Sequence, residues 1–340
     1  MTKGFLVQQQ NLAQAALPLW GFAADTRLDL LNYSENTTFA VTNAKGKHYV
    51  LRLYRLGHHS KAAIASELAW MQALQQDGAL SMASVIAGLD SQAIQQCQNS
   101  GHFLVLFAFL SGQEPKMTAD LRAPFRQLGE LAARAHIHSQ NWQRPAFFTR
   151  PIWDEKAVFE PDPLWGHWST GPNVTSEHCR ILEDAQECLQ ERLRHYGKTS
   201  EQFGLIHADM RLANLLVHNE TTYVIDFDDC GFGWWMYDFA AAISFFEDHP
   251  QIPALKQAWL EGYQRIRPLS EQDHAEIDTM VLLRRMHLLG WLGTHQNTEL
   301  FAELAPHFAE GTARLALAFM VEVDGIEPTT YCLQSNRSPN

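Results

Sequence analysis

The sequence predicts an α+β protein of two lobes, with a small β-rich amino-terminal lobe and a larger, mainly helical carboxy-terminal lobe. Three observations support this prediction. Strand-like patterns are concentrated in the first third of the 340 residues, a polar break containing Gly112 and Pro115 follows them, and helical periodicity dominates the remainder. A chain of this length is also long enough to bury two hydrophobic cores.

The elements of the amino-terminal lobe are predicted from residue spacing. Residues 8–20 have the composition of a helix, and strand character begins at Leu28. Two runs rich in β-branched and aromatic residues, 37–42 and 48–54, predict strands. Residues 43–46 join them as a turn, because Asn and Gly tolerate positive φ. The chain continues with a helix at residues 60–76 and strand candidates at residues 83–86, 93–96 and 103–110.

The carboxy-terminal lobe is predicted to be mainly helical. Amphipathic patterns indicate helices at residues 120–139 and 175–196, and Gly197 ends the second of them. Residues 141–173 contain five prolines and four tryptophans and are predicted to be irregular, whereas the chain beyond Tyr237 is mostly helical. We therefore predict an amino-terminal lobe at residues 1–107, a hinge at residues 108–115 and a carboxy-terminal lobe at residues 116–340.

Composition excludes several classes of protein. The formal net charge is −12 and no dense basic run occurs, which argues against a nucleic-acid partner. The acidity indicates either a solvated surface or a preference for cationic substrates. The five cysteines are scattered without CxxC spacing, which is typical of reduced thiols. No apolar stretch approaches the roughly 20 residues of a membrane span. We therefore expect a soluble cytoplasmic protein with no membrane partner.

The strongest signal for chemistry is a predicted hairpin flanked by oxygen-bearing side chains. Two strand-like runs, 215–217 and 222–227, are separated by four turn-forming residues. Asp209 and Asn214 lie on the loop that enters this hairpin, and Asp226 lies at its exit. Because a hairpin brings its entry and exit together, these side chains can converge on one point. Oxygen donors of this kind suit Mg²⁺, and carboxylates clustered without a cation would be costly.

The same segment carries a recognisable motif. His207, Asp209 and Asn214 follow the HxDxxxxN spacing of a kinase catalytic loop, and Asp226 follows at a suitable distance. With Ile225-Asp226-Phe227 and Asp238-Phe239-Ala240, the segment resembles the aminoglycoside phosphotransferase and choline kinase-like enzymes. That family includes type II homoserine kinases and a bacterial stress-response kinase. The resemblance covers most of the chain and implies a protein kinase-like fold.

The resemblance implies specific roles in an ATP- and Mg²⁺-dependent reaction. Asp209 would be the base that orients the acceptor hydroxyl and accepts its proton. Asn214 and Asp226 would hold the Mg²⁺ that bridges the ATP phosphates. Arg211 would reach the transferring phosphoryl group, or would be a surface arginine.

The amino-terminal lobe resembles the family in its nucleotide-binding elements. Ser34 and Asn36 lie in the turn expected to cover the nucleotide. Arg52 stands where the family has its phosphate-binding lysine, and Glu67 on the following helix would be its partner. Arginine keeps the positive charge but differs from lysine in reach and shape. The hinge backbone expected to meet adenine belongs to Phe107, Ala108 and Phe109.

Several further polar residues have two interpretations each. His207 and Asp238 are expected to support the catalytic loop, although direct participation is the alternative. Asp228 would be either a further metal or substrate ligand or a solvated carboxylate. The ligand role is favoured because strand alternation would place Asp228 on the same face as Asp226. Arg284 and Arg285 would bind an anionic group of the substrate or lie on a solvated helix face.

The function predicted from these residues is phosphoryl transfer from ATP to a hydroxyl of a small molecule, such as an aminoglycoside, choline, ethanolamine or homoserine. Two alternatives remain open. A Ser/Thr protein kinase of the stress-response type would use the same residues. A nucleotide-binding pseudokinase that acts through partners is the other, and Arg52 is the feature that favours it. The sequence makes no prediction of oligomeric state.

Overall fold

The structure is a computed structural model that describes residues 3–33, 35–98, 100–115, 120–296 and 298–324. The chain divides into two compact units. Unit 1 contains the described residues of the ranges Met1–Pro115, Trp142–Arg150 and Ala213–Asp228. Unit 2 contains those of the ranges Lys116–Asn141, Pro151–Leu212 and Asp229–Asn340.

The strands of the described chain are β1 (Arg27–Tyr33), β2 (Thr37–Thr42), β3 (His48–Leu53), β4 (Val85–Ile86), β5 (Ile94–Gln96), β6 (Phe103–Ala108), β7 (Ile152–Trp153), β8 (Phe203–Ile206), β9 (Leu215–His218), β10 (Thr221–Val224) and β11 (Gly231–Trp234). Its α-helices are α1 (Lys3–Ala16), α2 (Lys61–Gln76), α3 (Arg122–Asn141), α4 (Glu155–Phe159), α5 (Ser176–Tyr196), α6 (Tyr237–Ala242), α7 (Ile252–Gln264), α8 (Glu271–Ala275), α9 (Ile277–Thr294), α10 (Glu299–Leu304) and α11 (Phe308–Asp324).

Unit 1 is built on an antiparallel sheet in the order β1-β2-β3-β6-β4, with β5 also paired to β6. Apolar side chains of β1, β2, β3 and β6 form one core with α1 and the 3₁₀ turn after it. Helix α2 begins after Ser60, whose side chain accepts a hydrogen bond from the amide of Ala63 at 3.1 Å. The helix buries Glu67 together with its apolar residues. These elements confirm the strands and the helix predicted at residues 37–42, 48–54 and 60–76.

The β9–β10 hairpin belongs to unit 1 rather than to the predominantly helical unit 2. Isolated bridges join it to the rest of unit 1, from Tyr223 to Ser81 and from Val217 to Gln113. The hairpin thus lies in the compact unit that contains the larger β-sheet, whereas the sequence-based division placed it in the carboxy-terminal lobe. The assignment of nucleotide and acceptor binding to separate lobes stays a prediction.

Unit 2 is mainly helical and contains one small sheet in the order β7-β11-β8. Strand β11 pairs in parallel with β7 and antiparallel with β8. Strand β8 ends at Ile206, directly before His207. Residues 141–173, which were predicted to be irregular, contain the short elements β7 and α4. Helix α9 is buried along nearly all of its length, including Arg284 and Arg285. Among the helices of the described chain, none combines the length and apolar character needed to cross a bilayer.

Candidate active site

The backbone of the loop that carries Asp209 is hydrogen-bonded to a buried carboxylate. Ala208 has a φ of 64°, in the left-handed region that residues with a Cβ seldom adopt. The Asp238 carboxylate accepts hydrogen bonds from the amide of Ala208 at 2.7 Å and from the amide of His207 at 3.2 Å. His136 Nε2 lies 2.9 Å from the same carboxylate. Strained backbone fixed by several bonds is typical of functional sites, and the supporting role predicted for Asp238 is confirmed.

Two guanidinium groups of unit 2 converge on the Asp209 carboxylate. Arg211 donates from Nε to Oδ1 over 3.0 Å, and Arg284 donates from Nη2 to the same oxygen over 3.2 Å. The Asp209 side chain is only 13% exposed and that of Arg284 only 2%. Charge-assisted bonds of this kind are short and orient the acceptor group. The orientation of the Asp209 carboxylate is therefore fixed by two guanidinium groups as well as by the loop backbone.

The burial of Arg284 overturns the interpretation of α9 as having a solvated arginine face. Arg284 also donates from Nε to the hydroxyl of Ser244 at 3.1 Å and lies over the ring of Trp165 at 5.0 Å. Burial alone would lower the pKa of Arg284, but Tyr237 and Asp209 outweigh it and raise that pKa. Arg284 thus stays charged beside Asp209. Arg285 is likewise buried and pairs with Glu247.

A further buried polar group beside Arg284 is His287. Its ring stacks on Trp165 with a centroid distance of 4.3 Å, and its Nδ1 lies 3.3 Å from the Tyr237 hydroxyl. Burial first, and then the charge of Arg284, lower the pKa of His287 well below its ordinary value. His287 is therefore neutral in the folded protein at neutral pH.

A pH dependence of stability follows from this neutral histidine. The unfolded chain binds a proton at His287 near the ordinary pKa of about 6.5, whereas the folded chain does not. The free energy of unfolding should therefore fall as the pH drops below about 6.5, by at most about 1.4 kcal/mol per pH unit for this one group. Urea unfolding between pH 7 and pH 5 measures the slope. His287→Asn should flatten it, and the matched change at the exposed His195 should not. An equal slope in wild type and His287→Asn would contradict the assignment.

In unit 1 the hairpin brings together the ends of the segment that contains Asn214 and Asp226. The amide of Ile225 donates to the carbonyl of Asn214 at 3.0 Å, so the hairpin entry lies beside its exit. Asn214 is buried, whereas the Asp226 side chain is 41% exposed. Asp226 has a φ of 62°, and β10 has already ended at Val224. The prediction that strand alternation places Asp228 on the same face as Asp226 is therefore wrong.

Arg52 joins the hairpin exit to helix α2. Its Nη2 donates to Asp226 Oδ1 at 2.8 Å and its Nη1 donates to Glu67 Oε1 at 3.0 Å. The hydroxyl of Tyr54 donates to Glu67 Oε2 at 3.2 Å. Burial opposes the charge of Arg52, but Asp226, Tyr54 and Glu67 together raise its pKa well above the ordinary value. The pairing of Arg52 with Glu67 is present, and a role for both in binding ATP stays a prediction.

Substitution of Arg52 should separate charge from side-chain shape. Arg52→Lys keeps the charge, whereas Arg52→Met keeps the length and leaves Glu67 buried without its cation. We expect Arg52→Met to raise the KM for ATP roughly ten- to hundredfold, the equivalent of losing a charge-assisted bond, and to destabilise the fold by about 3 kcal/mol. Arg52→Lys should lose much less of both. Unchanged stability and unchanged ATP kinetics in Arg52→Met would show that the pair is dispensable.

Asn36 is the described residue of the turn that was predicted to cover the nucleotide. Asn36 donates from Nδ2 to Asp228 Oδ2 at 2.9 Å and accepts from the amide of Arg55 at 3.1 Å, whereas Ser34 lies outside the described residues. Burial would raise the pKa of Asp228, but His59 and nearby arginines lower it. Asn36 therefore ties its turn to the segment after the hairpin.

The predicted hinge coincides with the end of β6. The Phe107 side chain is buried, with Arg52 over its ring at 5.6 Å, and that of Phe109 is 43% exposed. The amide of Ala108 already donates to the carbonyl of Ser84 at 2.8 Å. If adenine binds at Ala108, its contact therefore involves atoms other than that amide. The hinge role of these residues stays a prediction.

The donor set of unit 1 fits a hard divalent cation. Asn214 and Asp226 supply an amide oxygen and a partly exposed carboxylate, and Mg²⁺ takes one or two such protein ligands and completes its shell with water and phosphate. Arg52 shares the Asp226 carboxylate in the present structure, so cation binding there would leave its guanidinium available to a second anion.

Comparison with known proteins defines the family of the chain. A family model described as the phosphotransferase enzyme family matches residues 30–269. The chain belongs to this phosphotransferase family. Amicoumacin kinase of Bacillus subtilis (strain 168) is 24% identical over 307 residues, which cover 86% of this chain and 86% of that protein. A homoserine kinase of Neisseria meningitidis serogroup B is 36% identical over 128 residues, covering 35% of this chain and 41% of that protein.

Solved structures extend the comparison to the fold. The structure of a microcompartment-associated aminopropanol kinase is 36% identical, covers 93% of this chain and 98% of that chain, and has a TM-score of 0.85. Amicoumacin kinase hAmiN, solved in complex with AMP-PNP, Ca²⁺ and Ami, is 21% identical, with a TM-score of 0.74 and coverage of 92% and 96%. The predicted kinase-like α+β fold is thereby confirmed. This member of the phosphotransferase family is an enzyme of the predicted class, a small-molecule phosphotransferase.

Proposed function

We propose that this phosphotransferase transfers the γ-phosphoryl group of ATP, with Mg²⁺, to the hydroxyl of a small amino alcohol. The observation that carries the proposal is the fixation of Asp209 by Arg211 and Arg284 on the motif that the family uses for its base. The similarity to an aminopropanol kinase over 93% of the chain supports an acceptor that bears both a hydroxyl and an amine. The AMP-PNP complex of amicoumacin kinase hAmiN supports ATP as the phosphoryl donor.

The proposed mechanism assigns the acceptor to Asp209. Its carboxylate aligns the acceptor hydroxyl and accepts the proton as the oxygen attacks the γ-phosphorus. The bond from that phosphorus to the β–γ bridging oxygen breaks, and ADP leaves. Arg284 and Arg211 keep that carboxylate oriented through their hydrogen bonds to Oδ1. Phosphoryl transfer requires little covalent participation by the protein, so orientation and charge supply most of the rate.

The proposed mechanism assigns the phosphates to the residues of unit 1. Asn214 and Asp226 would hold Mg²⁺, which offsets the negative charge of the phosphates when bound. Arg52, kept charged by its carboxylate neighbours, would bind a phosphate oxygen once Asp226 is engaged elsewhere. Glu67 would keep Arg52 in place through this exchange of partners.

An acceptor screen tests the proposal. ADP release would be followed with ATP and Mg²⁺ over aminopropanol, ethanolamine, choline, homoserine, hydroxylysine, aminoglycosides and sugars, and products would be confirmed by mass. Propylamine and ethylamine are matched controls, because they keep the amine and lack the hydroxyl. We expect a phosphorylated product with at least one amino alcohol and none with either control.

Other outcomes of the screen would separate the alternatives. Phosphorylation of the simple amines would identify nitrogen as the acceptor and remove the role proposed for Asp209. Transfer to protein serine or threonine without transfer to any small alcohol would favour a protein kinase. ATP binding without transfer to either would favour a pseudokinase.

A further inference from the structure

A cluster of two histidines and a carboxylate lies in unit 1, next to the predicted nucleotide-binding residues but made of different side chains. His58 and His59 belong to the connection between β3 and α2, and Asp228 follows the β9–β10 hairpin. One ring nitrogen of each histidine and one carboxylate oxygen of Asp228 lie within 4.8 Å of one another. Two imidazoles and one carboxylate form a common ligand set for transition metals in proteins.

Two of these ligand atoms are buried without a hydrogen bond. Among the described residues, His59 Nε2 and Asp228 Oδ1 are buried and lie 3.3 Å from each other, which is an ion-pair distance without hydrogen-bond geometry. Buried polar atoms are nearly always well bonded, and a cation between these two atoms would satisfy both. Two ligands at about 2.1 Å from one tetrahedral metal lie roughly 3.4 Å apart. The observed separation of 3.3 Å therefore fits a shared metal as well as a direct ion pair.

Neighbouring groups orient the ligands. Glu35 Oε2 lies 2.7 Å from His58 Nε2, which leaves Nδ1 as the ring nitrogen for a metal. Metal-binding histidines generally donate their other N–H to a carboxylate in this way. Asn36 donates to Asp228 Oδ2, so Oδ1 is the oxygen turned toward His59. Glu35 and Asn36 thus hold His58 and Asp228 through atoms other than the proposed ligand atoms.

We propose that His58, His59 and Asp228 form a binding site for a divalent transition metal, with zinc as the favoured ion. Imidazole nitrogens select zinc, nickel, cobalt or copper over Mg²⁺, which prefers oxygen ligands alone. The site is therefore chemically different from the pair Asn214 and Asp226, and it does not depend on the proposed function. Its occupancy would tie the β3–α2 connection to the end of the hairpin segment within unit 1.

Zinc titration by calorimetry tests the site, using chelator-treated full-length protein. We expect one equivalent of zinc to bind with micromolar or tighter affinity and to raise the melting temperature. His59→Gln should weaken binding at least roughly 100-fold, because loss of a direct ligand exceeds the 10- to 100-fold effect of losing a supporting residue. Glu35→Gln should weaken it within that smaller range. Cobalt should show the intense visible absorption of a tetrahedral site in wild type and lose it in His59→Gln.

Controls make the result decisive. His102→Gln removes a histidine from the same unit outside the cluster and should leave zinc affinity unchanged. Asp226→Asn should also leave it unchanged, which separates this site from the Mg²⁺ site. His58→Gln is a second ligand variant in case His59→Gln alters the circular dichroism spectrum. No zinc binding, or binding that both ligand variants retain, would overturn the proposal and indicate adventitious surface binding only. Loss of zinc binding in Asp226→Asn would also overturn it.

Discussion

Asp209→Asn should lower kcat by roughly 10³-fold, a typical loss for a general base, while ATP binding stays within about twofold of wild type. Asparagine keeps an oxygen that can accept from Arg211 and Arg284, so the loop should retain its shape. It cannot accept the proton of the acceptor hydroxyl. The change therefore removes the chemistry and preserves the geometry.

Single-turnover kinetics with the acceptor found in the screen would measure the loss of Asp209. The matched control is Asp248→Asn, an exposed carboxylate of the same unit that pairs only weakly with Arg314 at 3.5 Å. It should turn over like wild type. Arg284→Lys should lie between the two variants, because it keeps a charge beside Asp209 but loses the fixed orientation. Undiminished kcat in Asp209→Asn would remove this residue from the mechanism.

Asp226→Asn should change different kinetic quantities, because this substitution weakens the binding of the nucleotide rather than the activation of the acceptor hydroxyl. The affinity for ATP in the presence of Mg²⁺ should fall roughly 10- to 100-fold, and kcat should fall roughly 10²- to 10³-fold. The affinity for ATP without Mg²⁺ should change little, since Arg52 keeps its bond to Glu67. The metal-dependent part of ATP binding is therefore the quantity that the substitution removes.

Titration of a fluorescent ATP analogue with and without Mg²⁺ separates these effects. Asp25→Asn, an exposed carboxylate of unit 1, is the matched control and should retain the full Mg²⁺ dependence. The two largest predicted effects are thus distinguishable, since Asp209→Asn preserves Mg²⁺-dependent binding and Asp226→Asn loses it. An Asp226→Asn enzyme with the wild-type Mg²⁺ dependence would place the metal on other ligands.

The parts of the fold that local sequence determines were predicted closely. Strands β2 and β3 are contiguous β-branched runs around one turn, and α2 begins with a capping serine, so nearby residues carry the information. Strands β8 and β11 were not predicted. They are four residues each, contain glycines and gain their stability from pairing with each other, which is a contact distant in sequence.

In the candidate site, too, residues linked by local spacing were predicted and a residue distant in sequence was not. Asp209, Asn214 and Asp226 were found because their spacing along one loop and hairpin is a local signal. Arg284 lies 75 residues from Asp209, and the helix that carries it is buried on every face, so helical periodicity could not orient it. The signal that could have found it is a charged side chain in an otherwise apolar helix, since such a charge is seldom buried without a partner.

The contact between Arg52 and Asp226 shows what the resemblance contributes beyond residue patterns. The two residues lie 174 positions apart, and only the family motif related them before the structure was known. The structure adds Tyr54 beside Glu67 and Asn36 beside Asp228, which the motif does not contain. The bond from Tyr54 helps to hold Glu67, which pairs with Arg52 at the position where the resemblance implies a lysine.

Anomalous diffraction from Mn²⁺ tests the central assignment most directly, in crystals grown with a non-hydrolysable ATP analogue and Mn²⁺ in place of Mg²⁺. We expect an anomalous peak at about 2 Å from oxygen atoms of both Asn214 and Asp226 and of the nucleotide phosphates, with Arg52 turned from Asp226 to a phosphate. A phosphate-bound Mn²⁺ coordinated by neither residue would contradict it.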